Sequence, residues 1–379
     1  MEFAWSPEQQ AFRERVRSFL RAELPADWTD IASQSPGSLA VTNFSLEFCP
    51  KLAAAGLLVP HWPVEYGGAG ATPWEHFILG EEMWRMGEPR GPQYYNVNWL
   101  GPSIMKYGSA AQKDEHLSLI AAGKAIWCQG FSEPSAGSDL AAMRTRADAV
   151  DGGYRINGSK IWTSYASLAE YCFLLAKTSQ GKAGVSVFLL PMSTPGIEVH
   201  KIPSVVGDGD IHEVFFTDVF APADCLLGAE GQGWEIARYA LHFERVGIPR
   251  YALARRVLEE IVATLDREGR FADAHVRTRA GQSYAICESA RMLVYRVLDQ
   301  RAKAMPQSAE TSIARYAVVQ AERTVAEFAL DFLPEAMRGI GQKLIDTHHK
   351  RAITAGIAAG AAEIQLNLIA DQLLHLPRA

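Results

Sequence analysis

The period of the apolar residues changes twice along the chain, and this limits the possible folds more than any other feature. Up to about residue 125 apolar residues recur every three or four positions, as in the run from Phe12 to Leu20, which is the spacing of an amphipathic helix. From about residue 126 they form short runs such as YCFLLAKT and VSVFLLPM, which are typical of strands. The helical period returns from about residue 229. This order predicts a mainly α protein with a central antiparallel β domain, divided into 1–125, 126–228 and 229–379.

Two dipeptides predict where elements begin or turn. Ser6 followed by Pro7 is a helix N-cap with proline at the first helical position. Asn157 followed by Gly158 is a pair that favours the two-residue turn of a hairpin. We therefore expect a helix from residue 7 and a tight β-hairpin at residues 157 and 158.

Composition argues against several classes of protein. With 379 residues, of which 48% are hydrophobic, the chain can bury a large core in two or three domains. Its net charge is −6, from 37 basic and 43 acidic residues, and no cluster of Lys and Arg is interleaved with aromatic residues, which argues against a nucleic-acid partner. No run reaches the roughly 18 apolar residues of a membrane span, and the N-terminus is charged where a signal peptide is apolar. We expect a cytoplasmic location and no membrane span.

The cysteines and histidines form no metal-binding pattern. The five cysteines are far apart and contain no CxxC pair, so neither a zinc site nor a disulfide framework is expected. The ten histidines include the adjacent His348 and His349, but no HExxH spacing occurs. We predict no metal site and reduced cysteines that pack in the interior.

One carboxylate lies where a helix should be apolar. In WEIARYALHFERVGIP, residues 234–249, Glu244 falls on the same helical stripe as Ala237 and Leu241. A buried carboxylate must be paired or hydrogen-bonded, or its pKa rises. Arg245 is adjacent but points about 100° away around the helix. Two interpretations follow: Glu244 pairs with an arginine of a neighbouring helix, or it is a general base in a dry site.

Two segments of the predicted β domain carry the most specific motifs. They are WCQGFSEPSAGSDLAAMRTRA, residues 127–147, and NGSKIWTSYASLAEYCFLLAKT, which begins at Asn157. With the SEPxAGSD loop and the K-x-W-[IT]-[TS] strand in this order and spacing, the chain resembles the acyl-CoA dehydrogenase family. The resemblance extends over almost the whole chain, through WPVEYGGAG, LGPSIMKYGSAAQKDEHLSLIAAGK and GAEGQGW. It implies an N-terminal helical domain, a central β domain and a C-terminal four-helix bundle, with FAD between the β domain and the bundles.

The resemblance also implies a chemistry and a set of site residues. Family members oxidise a saturated thioester to its α,β-enoyl form: a base removes the α-proton, and the β-hydrogen passes as hydride to flavin N5. Positioned donors must polarise the carbonyl, and exclusion of water must strengthen the base. By resemblance, Phe131 and Ser132 lie along the flavin, Trp162 packs on the isoalloxazine, Thr163 and Ser164 lie near it with Ser164 hydrogen-bonded near N5, and Ser138 contacts the pantetheine arm of the substrate.

Members of the family hold the base in one of two places. Some carry it on the last long helix in a YEGT motif, and others on the first helix of the bundle in a Glu-Arg pair. Glu244 with Arg245 resembles the second pattern, so Glu244 is the predicted base and Arg245 is assigned to the substrate site. The first pattern is absent, because AAGAAEIQ places Ala359 at the base position and Ala361 where resembling proteins use a threonine near the flavin.

A second family motif is also missing. The arginine motif RxxFG, which helps to hold the FAD diphosphate across a subunit boundary, is not recognisable, and Arg270 and Arg277 are weak substitutes. Some bacterial members that act on steroid acyl-CoA are α2β2 heterotetramers in which each FAD is shared between unlike chains. The resemblance therefore implies either a related partner subunit or a divergent homo-oligomer, with an electron-transfer flavoprotein or similar acceptor.

The sequence thus predicts FAD-dependent dehydrogenation of an acyl-CoA thioester, with a bulky, steroid-like acyl group as the narrower expectation. Two alternatives remain open. One is a non-catalytic or half-site subunit that completes the FAD site of a related chain. The other is a flavin oxidase or monooxygenase on the same fold. A carrier protein in place of CoA also stays open, because the outer CoA contacts cannot be identified in the sequence.

Overall fold

The computed structural model describes residues 5–33, 38–180, 184–206, 211–247, 249–306, 308–338, 342–358 and 360–377, and for residues 242–247 it describes the backbone only. The side chains of Glu244 and Arg245 therefore lie outside the described part of the chain, and so does Ala359.

Helices occupy the two ends of the chain. The α-helices are α1 (Pro7–Glu23), α2 (Trp28–Ala32), α3 (Leu39–Ala54), α4 (Pro73–Arg85), α5 (Gln93–Tyr95), α6 (Gly101–Tyr107), α7 (Ala110–Ala121), α8 (Gly233–Gly247), α9 (Arg250–Arg267), α10 (Ala274–Ala302), α11 (Glu310–Phe332), α12 (Lys343–Thr354) and α13 (Ala362–Gln372). A π-helical turn, Asn96–Leu100, joins α5 to α6. Among the described residues, no helix combines the length and apolar character needed to cross a membrane.

In the described part of the chain, eight strands lie between α7 and α8. They are β1 (Trp127–Gly130), β2 (Arg146–Val150), β3 (Gly153–Ser164), β4 (Tyr171–Lys177), β5 (Val185–Pro191), β6 (Ile197–Lys201), β7 (Ile211–Pro222) and β8 (Leu226–Leu227). Their order in the sheet is β6-β7-β3-β2-β4-β5-β8, with β1 beside β4. Most pairs are antiparallel, but β1 and β2 each pair with β4 in parallel. The predicted mainly α fold with a central β domain is confirmed, and the sheet is mixed rather than wholly antiparallel.

The chain divides into two compact units, each built from separate segments. The helical unit comprises Met1–Pro36, Gly70–Pro89 and Arg245–Ala379, and the sheet unit comprises Gly37–Ala69 and Arg90–Glu244. Within the helical unit, α4 packs against α1, α9 and α10. The predicted domain limits at residues 125 and 228 stay a prediction.

Alternating residues of the sheet form the core of the sheet unit. Ile156, Phe188 and Val214 have no exposed surface there, and burial of a side chain of this size contributes about 1.5–3 kcal/mol. Cys128 and Cys172 pack in the same core. All five cysteines are free thiols, as predicted.

The N-cap predicted at Ser6 is confirmed. Ser6 Oγ accepts a hydrogen bond from the Gln9 N–H at 3.2 Å, and Gln9 Oε1 accepts one from the Ser6 N–H at 2.9 Å. This reciprocal pair is a capping box. The helix carrying position 244 ends at Gly247, two residues before Pro249, as expected where a proline follows.

The hairpin predicted at Asn157 and Gly158 is wrong. Both residues lie inside β3, and the turn between β2 and β3 falls at Asp151 and Gly152. Gly158 has φ +151°, and a Cβ there would lie 2.5 Å from Thr145 Oγ1 and 2.7 Å from Thr145 Cα. The glycine therefore permits a close approach of two chain segments at a register shift rather than a turn.

Candidate active site

Trp162 is held outward at a bulge in β3. The pairing of β3 with β7 shifts register between Lys160 and Thr163, and Trp162 takes φ +61°. A bulge re-aims a side chain, and 62% of the Trp162 surface is exposed. Because a left-handed backbone costs a non-glycine residue about 1–2 kcal/mol, the surrounding sheet must stabilise this conformation. Trp162 is the residue predicted to pack on the isoalloxazine.

The loop containing Phe131 and Ser132 is hydrogen-bonded to the same strand. The Ile161 N–H donates to the Ser132 carbonyl at 2.9 Å, and Lys160 Nζ donates to the Phe131 carbonyl at 3.1 Å. Phe131 is buried. The structure thus brings Phe131 and Ser132 to the strand that carries Trp162, and their flavin contacts stay a prediction.

A buried ion pair between Lys160 and Glu133 locks the loop in place. Lys160 Nζ lies 2.8 Å from Glu133 Oε1, and the two side chains are 0% and 4% exposed. Glu133 also accepts hydrogen bonds from the backbone N–H groups of Arg144 at 2.6 Å and Thr145 at 3.0 Å. Since an unpaired charge at this depth is costly, the pair determines how the loop packs on β3.

The two members of the pair respond differently to burial. Burial lowers the pKa of Lys160, because the interior solvates an ammonium less well than water does. Burial acts to raise the pKa of Glu133, but the charge of Lys160 and the hydrogen bonds from Lys160, Thr145 and Arg144 outweigh it and lower that pKa. Glu133 is therefore held as a carboxylate at neutral pH.

Lys160 and Glu133 belong to the two motifs of the β domain, but neither was predicted to have a role. The available signal was a lysine inside an apolar strand, which needs a buried partner of opposite charge. A sequence alone does not identify the partner, because Glu133 lies on a different segment and meets Lys160 only in the folded sheet unit.

Thr163 and Ser164 follow the bulge at the end of β3. Thr163 pairs with His212 of β7. Thr163 is 1% exposed, and its Oγ1 has no hydrogen-bond partner among the described residues. Buried hydroxyls are normally satisfied, but this oxygen is itself buried, so the described structure does not open it to a ligand. Ser164 is half-buried beside it.

Ser138 lies in an exposed loop, residues 137–139. Two backbone hydrogen bonds between Glu133 and Ala136, at 2.9 and 3.0 Å, close the turn that leads into the loop. The ion pair of Glu133 thus anchors this segment as well. Ser138 is accessible to a ligand, and its contact with the pantetheine arm stays a prediction.

Position 244 lies in α8, within the sheet unit. Ala237 and Ala240 of this helix are buried. Position 244 lies about two helical turns after Ala237 and about one turn after Ala240. Helical spacing therefore places position 244 on the same side of α8 as Ala237 and Ala240. The roles of Glu244 as base and of Arg245 as a substrate residue stay predictions, because their side chains lie outside the described residues.

The aromatic residues around the π-helical turn were missed by sequence analysis. The rings of Tyr95 and Trp99 are stacked with centroids 5.8 Å apart, and Trp99 Nε1 donates to Gln129 Oε1 at 3.0 Å. Tyr95 also lies 5.7 Å from the ring of Tyr165, which follows Ser164. The turn therefore contacts both segments that carry candidate flavin residues. π-Helical turns occur often at functional sites, and the dense aromatic run YYNVNW was the available signal.

The sheet unit fits the flavin ring of FAD better than the helical unit fits its diphosphate. The exposed indole of Trp162 offers a flat apolar surface. Arg270, in contrast, is paired with Glu268 at 3.1 Å and Glu335 at 2.8 Å. Arg277 donates to nearby backbone carbonyls. Both arginines are therefore engaged within the chain.

Three family models match successive parts of the chain. They are the N-terminal domain of acyl-CoA dehydrogenase at residues 6–124, its middle domain at residues 128–219 and its C-terminal domain at residues 231–374.

Two relatives from Mycobacterium tuberculosis match nearly the whole chain. Acyl-CoA dehydrogenase IpdE1 is 31% identical over 383 residues, which cover 97% of this chain and 98% of the relative. Acyl-CoA dehydrogenase FadE34 is 31% identical over 369 residues, which cover 95% of this chain and 51% of FadE34. This chain thus spans about half the length of FadE34.

Two solved structures have the same fold. The protein described as Tcur3481-Tcur3483 steroid ACAD superimposes with a TM-score of 0.92, at 27% identity and with full coverage of both chains. The ChsE4-ChsE5 complex from Mycobacterium tuberculosis superimposes with a TM-score of 0.88, at 25% identity and also with full coverage of both chains.

Proposed function

This chain belongs to the acyl-CoA dehydrogenase family of FAD-dependent oxidoreductases, and we propose that it desaturates a bulky, steroid-like acyl-CoA with Glu244 as the base. The observation that carries the proposal is the surface around Trp162, which is exposed at a bulge beside the loop that Lys160 and Glu133 lock. Dehydrogenation of an acyl-CoA follows from the family. The acyl group, the base and the assembly are the proposed parts.

The proposed acyl group rests on the solved relatives and on one segment of the chain. The similar Tcur3481-Tcur3483 protein is described as a steroid enzyme and matches over the full length. In AAGAAEIQ, Ala358 and Ala361 stand where resembling members carry tyrosine and threonine. Less side-chain volume therefore fills this turn, which favours a larger substrate.

When bound, FAD supplies the acceptor for the β-hydrogen. The residues of this chain bind and orient the reactants. Trp162 offers a flat apolar face, and Thr163, the proposed cofactor-binding residue that follows it, is buried with no hydrogen-bond partner for its hydroxyl among the described residues. Ser138, in its exposed loop, contacts the pantetheine arm. Together these groups hold the Cα–Cβ bond of the thioester in one place, which is where most of the rate gain from positioning arises.

Glu244 removes the α-proton in this proposal. If water is kept from a carboxylate on the side of α8 that carries Ala237 and Ala240, its pKa would rise and it would be a stronger base. Ala237 and Ala240 on the same face bring no charge of their own. Arg245 is the proposed substrate residue next to it.

We also infer a partner chain of the same family. Arg270 and Arg277 make their contacts within this chain and the RxxFG motif is not recognisable, so in this proposal a partner supplies contacts to the FAD diphosphate. Three apolar side chains are exposed near the turn between α12 and α13, namely Ile353, Ile357 and Leu366, and exposed apolar groups mark interaction surfaces. The ChsE4-ChsE5 structure is itself described as a complex. The proposed assembly is α2β2, with an electron-transfer flavoprotein or similar protein as acceptor.

Anaerobic titration of the flavin-loaded protein with acyl-CoA thioesters tests the proposal. Glu244→Gln is compared with Glu235→Gln, which changes an exposed carboxylate on the same helix. We expect a steroid-type thioester to bleach the flavin absorbance of the wild type and of Glu235→Gln, and Glu244→Gln to bleach about 10²–10⁴-fold more slowly. Equal rates in all three proteins would place the base elsewhere. If only short straight-chain thioesters bleached the flavin, the proposal of a bulky acyl group would be wrong.

A half-site subunit is the second candidate function, and the internal pairing of Arg270 favours it. In that case the chain completes the FAD site of its partner and does not itself perform the chemistry. Flavin content separates the two candidates. Flavin that is bound only in the presence of the related chain, with bleaching unaffected by Glu244→Gln, would select the half-site subunit.

A further inference from the structure

The corner between α8 and α9 is held by helix α4. Pro249 faces Gly80, where an added Cβ would lie 3.9 Å from Pro249 Cγ, an ordinary contact distance. The Arg250 guanidinium lies over the Trp84 ring, 5.5 Å from its centroid, which is a cation–π arrangement. These contacts lie within the helical unit.

The next residue of the corner makes the closest contact with α4. The Tyr251 hydroxyl donates to Glu81 Oε1 at 2.5 Å, and Tyr251 is 2% exposed. Burial raises the pKa of Tyr251 well above its ordinary value, so the hydroxyl stays protonated and remains a donor. Three consecutive corner residues therefore contact one helix.

Glu81 is itself fixed from two further helices. Tyr295 of α10 donates to Glu81 Oε1 at 2.9 Å, and Arg13 of α1 donates to Glu81 Oε2 at 2.8 Å. The side chain of Glu81 is 9% exposed. A carboxylate held by donors from α1, α9 and α10 has little freedom to move, so it is a rigid point of attachment for the corner.

The corner combines a permissive residue, Gly247, with a restrictive one, Pro249, whose ring fixes its own φ. Gly247 has no side chain, and Pro249 has no N–H to donate. The first hydrogen bond of α9 runs from the Ala252 N–H to the Pro249 carbonyl at 2.9 Å. The contacts of Pro249, Arg250 and Tyr251 with α4 add to this local restraint. Pro249 lies five positions after Glu244.

We propose that Glu81 and Tyr251 are positioning residues for the reaction, which hold the α8–α9 corner and thereby the end of the helix that carries Glu244. This inference rests on the proposed function, in which Glu244 is the base. A base must lie within hydrogen-bond reach of the proton it removes, and a misplacement of about 1 Å can lower a rate roughly 100-fold.

Tyr251→Phe and Tyr295→Phe form a matched pair that tests the inference. Each removes one hydroxyl donor to the same carboxylate, but only Tyr251 belongs to the corner. We expect Tyr251→Phe to lower kcat about tenfold with little change in KM, because substrate still binds but the base is misplaced. Its pH profile of flavin reduction should move to lower pH, since a displaced carboxylate gains water and its pKa falls. Tyr295→Phe leaves Glu81 bonded to both Arg13 and Tyr251, so it should change kcat and the pH profile much less than Tyr251→Phe does.

The measurement uses the flavin-loaded protein, with its partner chain if it needs one, and thermal melting confirms that each variant is folded. If Tyr251→Phe melts too low, Arg250→Gln loosens the same corner through its contact with Trp84. Identical kcat and pH profiles for the corner and Tyr295 variants would overturn the inference. Glu244→Gln in the same assay separates the causes: an inactive Glu244→Gln with indistinguishable tyrosine variants overturns only the positioning role, and a fully active Glu244→Gln overturns both.

Discussion

At the scale of single residues, the ion pair of Lys160 and Glu133 links two motifs that the sequence presents separately. Glu133 belongs to SEPSAGSD and Lys160 to NGSKIWTS, and neither contributes directly to the surface around Trp162. Their contribution is to keep the loop and the bulged strand together. Because both charges are buried, the pair adds little net stability. Its main effect is that any arrangement of the loop that separates the two charges is costly.

Replacing Lys160 with methionine should therefore be severe. The change leaves Glu133 buried without its cation, and we expect the free energy of unfolding to fall by about 3–5 kcal/mol. Adding Glu133→Gln removes the stranded charge, but the N–H groups of Arg144 and Thr145 donate to different carboxylate oxygens, and the single glutamine oxygen can accept from only one of them. The double variant should recover part of the loss in urea denaturation, and a double variant no more stable than Lys160→Met would contradict this account.

Acid provides an independent check on the same pair. In the folded protein the pKa of Glu133 lies below its ordinary value of 4.5. Its contribution to stability is therefore complete above that value and is lost as the pH falls through the folded-state pKa. Wild type should lose more stability than Glu133→Gln between about pH 5 and pH 2. Equal losses would mean that the carboxylate is not specifically stabilised.

At the scale of elements, the order of helices and strands could be predicted because hydrophobic period is a local property. The cap at Ser6 and the helix end before Pro249 are local for the same reason. The hairpin at Asn157 was predicted wrongly, because Gly158 is required by a close contact with Thr145 and not by a turn. The bulge at Trp162 and the attachment of Tyr251 to Glu81 also depend on distant segments, so no local pattern reveals them.

Gly158→Ala should show that this glycine is required by the close contact. The new Cβ would lie 2.5 Å from Thr145 Oγ1 and 2.7 Å from Thr145 Cα, so either the strand or the segment before β2 must shift. We expect a loss of about 1–3 kcal/mol, measured from the urea midpoint. Gly137→Ala is the control, since its Cβ would meet no atom within 4 Å. Equal midpoints for the two variants would show that β3 tolerates the methyl group.

At the scale of the whole chain, the parts of the proposed activity are divided between the units. The sheet unit carries Trp162, Ser138 and position 244, and the helical unit carries the contacts of Glu81 and the turn near Ala361. The physics of the residues predicted a buried carboxylate and a β domain, but the cofactor came from resemblance to the family. The motifs of the family could be recognised in the sequence because they lie in the segments that the family models match.

The proposed partner makes a prediction about the exposed apolar residues of the helical unit. Ile353 and Ile357 are 60% and 66% exposed, so replacing both with glutamate should leave the fold of the single chain intact. In an interface the two charges would be buried without partners, and we expect association with the related chain to weaken by at least about tenfold. Val64→Glu is the control, because Val64 is 76% exposed and lies in the sheet unit. Light scattering of the co-expressed chains should then give the mass of the assembly for wild type and Val64→Glu and a lower mass for the double variant. An unchanged mass for the double variant would place the interface elsewhere, and an equal effect of Val64→Glu would mean that added charge, rather than this surface, disturbs assembly.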